Sequence, residues 1–106
     1  MTIGKDIVSE TEQFLGKRQF KGLSTFIALK VNTKASMHHL VSSLLQIPDV
    51  EEVFEVTGEF DIIVIARTIT SSALNKVIKI IRMLPGIMST QSYLALTEHS
   101  KEHEEK

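Results

Sequence analysis

The chain contains no cysteine and no tryptophan, and only one tyrosine and two prolines among its 106 residues. Without cysteine there can be no disulfide, thiolate nucleophile or cysteine-based metal site, a composition compatible with a reducing compartment. Long apolar runs are missing as well. None approaches the roughly 20 residues that a spanning helix needs, and the N-terminus lacks the basic-then-apolar layout of a signal peptide. A cytoplasmic location without membrane contact is therefore expected. Neither sign of charge dominates: 12 Lys and Arg face 13 Asp and Glu, for a formal net charge of -1. That balance supplies no electrostatic footprint for nucleic acid, so direct nucleic-acid binding by this chain is not expected. The length supports one domain with one core, to which oligomerisation would add burial.

What is present is a repeat. "IPDV" at Ile47 to Val50 recurs as "LPGI" at Leu84 to Ile87, an offset of 37 residues. Leu29-Lys30 falls on Ala66-Arg67 at the same offset, Leu40-Val41 on Val77-Ile78, and Leu44 on Ile81. The chain thus reads as two copies of strand-helix-strand.

In the first copy Leu23 to Val31 is β-rich, after which the periodicity becomes helical, with Leu40, Val41, Leu44 and Leu45 as the apolar face. Asn32, Thr33 or Ser36 can cap that helix and Pro48 ends it. "DVEEVFEV" alternates as a half-exposed strand does. In the second copy "DIIVIART" is a strand, and Thr70 or Ser71 caps a helix carrying Leu74, Val77, Ile78 and Ile81. Pro85-Gly86 stops it, and "IMSTQSYLAL" is the last strand.

The order βαββαβ, with a tight turn at Gly58, predicts an α+β, ferredoxin-like fold: a four-stranded antiparallel sheet with two helices on one face. Strands one and three should be central, because "FIALKV" and "IIVIA" are almost continuously apolar whereas the other two carry Glu51, Glu52 and Glu55, or Ser89, Thr90, Gln91 and Ser92. Helices cover one face only. The other face needs a cover, and a second copy in a two-fold, sheet-to-sheet dimer is the economical one.

Three segments are expected: residues 1–20, room for a short amphipathic helix but not for a helix-turn-helix; the domain at 21–97; and a charged tail at 98–106. Most polar features have an ordinary structural reading. His38 and His39 are adjacent, so on a helix they point about 100° apart and belong to a solvated face. His99 and His103 have i, i+4 spacing but lie in the tail without a third ligand. Lys76, Lys79 and Arg82 read as a solvated helix face, and Met83 and Met88 as adaptable core filling. No metal or cofactor is implied.

"VTGEFDII" departs from this pattern. Glu59 can be assigned to a turn at Gly58, but Asp61 directly precedes an apolar run, where a strand side chain should be apolar or paired. Its carboxylate could receive an ammonium group or cap backbone donors.

"VTGEFDIIV" together with "LPGIMSTQSYLAL" resembles the effector-binding half, the RAM module, of the leucine-responsive regulatory protein (Lrp)/AsnC family, over about Phe20 to Leu96. The resemblance implies a module that dimerises through its sheets and assembles further, often to octamers, with amino acids or related small effectors bound between dimers. It implies that Gly58 and Asp61 match the family's Gly-x-x-Asp loop, with Asp61 receiving the ligand's ammonium group, and that Thr90 and Ser92 face the same cleft. Glu59, Phe60, Tyr93 and Leu94 would belong to the effector response or the interface. Full members carry a helix-turn-helix; here the resemblance implies a stand-alone module, for which a helix-turn-helix-bearing paralogue is one partner.

The function expected is thus a non-enzymatic amino-acid sensor and homo-oligomerisation module. The alternatives are a small dimeric α+β barrel enzyme, which needs titratable groups on the sheet where this chain has Phe26, Ala28, Ile63 and Ile65, and a ligand-free scaffold with Asp61 satisfied by backbone donors.

Overall fold

Leu23–Val31 form β1, Met37–Leu45 α1, Val50–Glu55 β2, Ile62–Thr68 β3, Ser71–Met83 α2 and Ile87–Leu94 β4. The computed structural model describes residues 21–101, and the folded unit spans Gly22–Leu96. The helix expected within residues 1–20, and His103, lie outside the described residues; residues 97–101 carry neither helix nor strand.

The sheet order is β2-β3-β1-β4, antiparallel throughout. The two β-α-β units interlock, with the first strand of each in the centre, and this is the ferredoxin-like plan. β1 and β3 can be central because both of their faces are apolar.

On the helix side, Ile27, Leu29 and Val31 of β1 and Ile62, Val64 and Ala66 of β3 pack with Leu40, Leu44, Ile47, Val77 and Ile81. Each Leu, Ile or Val side chain fully buried here contributes about 1.5–3 kcal/mol. β3 alternates strictly between buried and half-buried residues, the period of a strand covered mainly on one side. On the other side Phe26, Phe54 and Tyr93 remain 42%, 47% and 47% exposed, with Ile63 and Ile65 half-buried among them.

Local chemistry sets the helix ends. The Ser36 hydroxyl accepts from the His39 N–H at 3.3 Å, and Thr70 Oγ1 from the Ala73 N–H at 3.1 Å, so each helix has a hydroxyl N-cap. The repeat extends to backbone conformation. Asp49 (φ 75°) and Gly86 (φ 97°), 37 residues apart, both adopt the left-handed turn that follows a helix and a proline. Gly86 is further required sterically, because a Cβ there would stand 2.7 Å from Ala35 Cβ.

Several expectations need correction. Leu45 is 52% exposed: it lies about 100° round α1 from buried Leu44. Met83 and Met88 are not core filling, being 81% and 67% exposed. Met83 is about 200° round α2 from buried Ile81. Met88 is displaced by a β-bulge, for the register steps from Lys30 opposite Ser89 to Val31 opposite Ile87 and leaves Met88 as the extra residue. The link between the two units is not a tight turn but a loop of six residues between Glu55 and Ile62.

Candidate functional site

β1 ends where β3 and β4 begin, so the loops after Val31, before Ile62 and before Ile87 gather at one end of the sheet. The loop between β2 and β3 is pinched at its neck, where the Val56 N–H donates to the Asp61 carbonyl at 3.0 Å. Gly58, at its outer part, has φ 117°, a conformation that disfavours any side chain, and apart from its two chain neighbours no atom of the described residues lies within 4 Å of the position a Cβ would take. The open space on that side would let another molecule approach the backbone closely.

Asp61 is fastened to β1 twice. Its N–H donates to the Leu29 carbonyl at 2.9 Å, and its Oδ2 accepts from the Val31 N–H at 2.8 Å. The pairing of β1 with β3 runs out at Leu29–Ile62, so the Val31 amide would otherwise have no ladder partner. The carboxylate supplies the missing acceptor. Of the two roles open to Asp61 from sequence, capping a backbone donor is thus realised, and it occupies one oxygen; Oδ1 has no hydrogen-bond partner among the described residues. Lys30 completes the arrangement, its Nζ donating to the Glu59 carbonyl at 2.8 Å. Nothing in the sequence singled out Lys30, which reads as an ordinary outward position on a strand.

Glu59 is exposed and Phe60 half-buried beside Asp61. Thr90 and Ser92 lie apart from them within one chain. They pair with Leu29 and Ile27 across the other edge of β1, on the helix side, and Thr90 Oγ1 accepts from Arg82 Nε at 3.2 Å. Arg82 therefore does more than decorate a solvated face. Tyr93, opposite Phe26, belongs to the open sheet face, and Leu94, opposite Thr25, to the helix side; they are 47% and 48% exposed. A cavity of about 300 Å³ at the same end of the sheet, between the start of α1 and the α2–β4 turn, is lined by Asn32, Lys34, Ser36, His39, Leu84 and others. It includes none of the residues expected from the sequence to bind a ligand. Among the described residues no group of His, Asp and Glu could hold a metal ion, and no helix is long and apolar enough to cross a membrane.

The family model described as the Lrp/AsnC ligand binding domain matches residues 24–104. The HTH-type transcriptional regulator FL11 of Pyrococcus horikoshii is 32% identical over 81 residues, which are 76% of this chain and 54% of that protein. A solved hypothetical protein from the same organism is 32% identical, with a TM-score of 0.64 over 73% of this chain and 93% of its own. A transcriptional regulator from Neisseria meningitidis, solved as a complex with L-Met, shares the fold at a TM-score of 0.68 and 24% identity, over 88% of this chain and 68% of that one. A likeness also reaches into an enzyme: the homocitrate synthase of Sulfolobus acidocaldarius is 30% identical over 88 residues, 83% of this chain but 19% of that protein. The chain spans about half the length of the curated regulators it matches.

Proposed function

Because the chain belongs to the Lrp/AsnC ligand-binding-domain family, we propose that it is a non-enzymatic sensor that binds an amino acid or a related metabolite and transmits occupancy through assembly. The observation that carries the reading is Asp61: an acceptor-only side chain, anchored by the Val31 N–H, with Oδ1 in no hydrogen bond among the described residues and Gly58 leaving open space three residues before it. A carboxylate held in this way receives an ammonium group without first having to be ordered. Thr90 and Ser92 lie across β1 within one protomer, so they join Asp61 in one cleft only through a neighbouring copy. The ligand is thereby coupled to the quaternary structure.

The assembly proposed is a two-fold dimer through the face bearing Phe26, Phe54 and Tyr93, closing further into an octamer or a similar ring, with Phe60, Tyr93 and Leu94 at or beside the contacts. It works in the cytoplasm, and its DNA-binding output comes from a helix-turn-helix-bearing paralogue that co-assembles with it. Likeness to regulators and to less than a fifth of an enzyme fits a sensory module better than a catalytic one.

The bond from Val31 to Asp61 also favours a second reading, in which the carboxylate only completes the fold of a ligand-free scaffold. Asp61→Asn separates the two, since an amide oxygen can still accept from Val31 while the charge is gone. The sensor requires that one or a few of the standard L-amino acids at millimolar concentration raise the melting temperature of the wild type, and that Asp61→Asn lose this rise with its ligand-free melting temperature nearly unchanged. An unchanged response in Asp61→Asn removes Asp61 from the site. No response by either protein to any of the amino acids removes them as effectors and favours the scaffold over the amino-acid sensor.

A further inference from the structure

The two halves of the repeat part company where their first strands end. Val31 and Thr68, the last residues of β1 and β3, stand at the 37-residue offset, and so do Leu40 and Val77, or Leu44 and Ile81, in the helices that follow. The helices nevertheless begin out of step: two residues, Ile69 and Thr70, separate β3 from α2, but five, residues 32–36, separate β1 from α1. The first copy thus forgoes the opening turn of its helix. The cavity of about 300 Å³ is lined by the loop that stands in its place, together with the near part of α1 and the α2–β4 turn. Its walls are fastened to each other directly. The Asn32 N–H donates to the Gly86 carbonyl at 2.7 Å and the Ala35 N–H to the Asn32 carbonyl at 2.9 Å, and Gly86 leaves no room for a Cβ beside Ala35. The size lies at the lower end of the range for small-molecule sites, about 300–1,000 Å³, and equals the liquid volume of about ten waters.

The lining carries one sign of fixed charge, since Lys34 belongs to it and no Asp or Glu does. The Lys34 ammonium group has neither a hydrogen bond nor an ion pair among the described residues. Asn32 uses its Oδ1 to accept from the Lys34 N–H at 2.8 Å, which leaves its amide N–H donors. The Ser36 hydroxyl accepts from the His39 N–H, which leaves its own proton to donate. Leu40, Leu84 and Pro85 supply an apolar wall. We infer that this cleft is a second small-molecule site, taking a short organic carboxylate with an apolar body and no ammonium group. Lys34, Asn32 and Ser36 receive the carboxylate, and Leu40, Leu84 and Pro85 the apolar body. An α-amino acid suits it poorly, because its ammonium group would enter beside Lys34 with no carboxylate to receive it. The cleft shares no residue with Gly58, Asp61, Thr90 or Ser92, so it stands whether or not Asp61 binds an amino acid.

The experiment is titration of the isotope-labelled intact chain with 4-methylpentanoate at constant ionic strength, read by backbone amide shifts. Three comparison probes accompany it: 4-methylpentanamide, which loses the charge; L-leucine, which adds the ammonium group to the same skeleton; and inorganic phosphate, an anion without an apolar body. 4-Methylpentanoate should saturate with a dissociation constant of about 1 mM or lower and move the amides of Asn32, Ser36, His39 and Gly86. Each comparison probe should bind the cleft about tenfold more weakly or worse, as expected when one charge-assisted contact or the apolar contact is lost. Lys34→Gln should lose most of the preference for carboxylate over amide, and Lys34→Arg should keep it. Lys34 is exposed, so both variants should melt close to the wild type. Shifts confined to the Gly58–Asp61 loop, or none at about 10 mM, overturn the inference. So does an unchanged preference in Lys34→Gln, or L-leucine or phosphate moving the cleft amides at the same concentrations as 4-methylpentanoate. None of these results touches the sensor reading at Asp61.

Discussion

The two faces of β1 each carry large apolar side chains, and the fold covers them differently. Ile27 and Leu29 are fully buried against the helices, whereas Phe26, between Thr25 and Ile27 in the chain, is 42% exposed on the other side. The difference is not one of hydrophobicity. Only one face has helices to cover it, because both crossovers of a βαββαβ chain are right-handed and return on the same side. The covered face is therefore the chain's own core, and the open face leaves Phe26, Phe54 and Tyr93 as exposed apolar surface.

The largest effect expected on this comparison comes from Leu29→Ala, which empties a fully buried position on the covered face. A loss of about 2–5 kcal/mol, read as a lower urea midpoint at unchanged slope, is the usual cost of such a cavity. A loss below about 1 kcal/mol would mean that the helices do not hold the face as tightly as their burial indicates.

Next is Gly86→Ala, which acts through the turn delivering β4 to the sheet. It adds a strained φ to a collision with Ala35, and should cost about 1–3 kcal/mol. Gly58→Ala has the strain without the collision and should cost about 1 kcal/mol. Equal losses in thermal unfolding would show that conformation alone matters at both sites, and that Ala35 yields.

The smallest effect on the isolated protomer belongs to Phe26→Ser. At protein concentrations low enough to dissociate the assembly, its unfolding should change by about 0.5 kcal/mol or less, the range of an ordinary surface substitution. Light scattering at higher concentration should nevertheless show it shifted to smaller species than the wild type. A variant that remains as associated as the wild type would remove the open face from the assembly.

Much of this architecture was legible in the chain. β1 has the bounds that its composition suggests, Ser36 and Thr70 are among the hydroxyl caps expected, and the 37-residue repeat carries through to the paired left-handed turns at Asp49 and Gly86. These features rest on neighbours within a few residues, and local rules of periodicity, capping and turn conformation govern them. The site was legible only in part. "GEFD" stood out as an irregular stretch, but the sequence left the partner of Asp61 open and gave no reason to notice Lys30.

The sequence by itself thus determined the order of elements, their periods and their ends, because each depends on contacts within one or two turns of chain. Tertiary structure alone decided that Asp61 accepts from Val31, that Lys30 reaches the Glu59 carbonyl, that Arg82 meets Thr90 and that Met88 is put out by a bulge. The first two contacts span 30 and 29 residues. All but the Arg82 contact follow from strand register, which is set by the joint fit of the whole buried face. The Arg82 contact needs α2 to fold back across β4, which is again a consequence of how the helices and sheet pack and not of either segment alone.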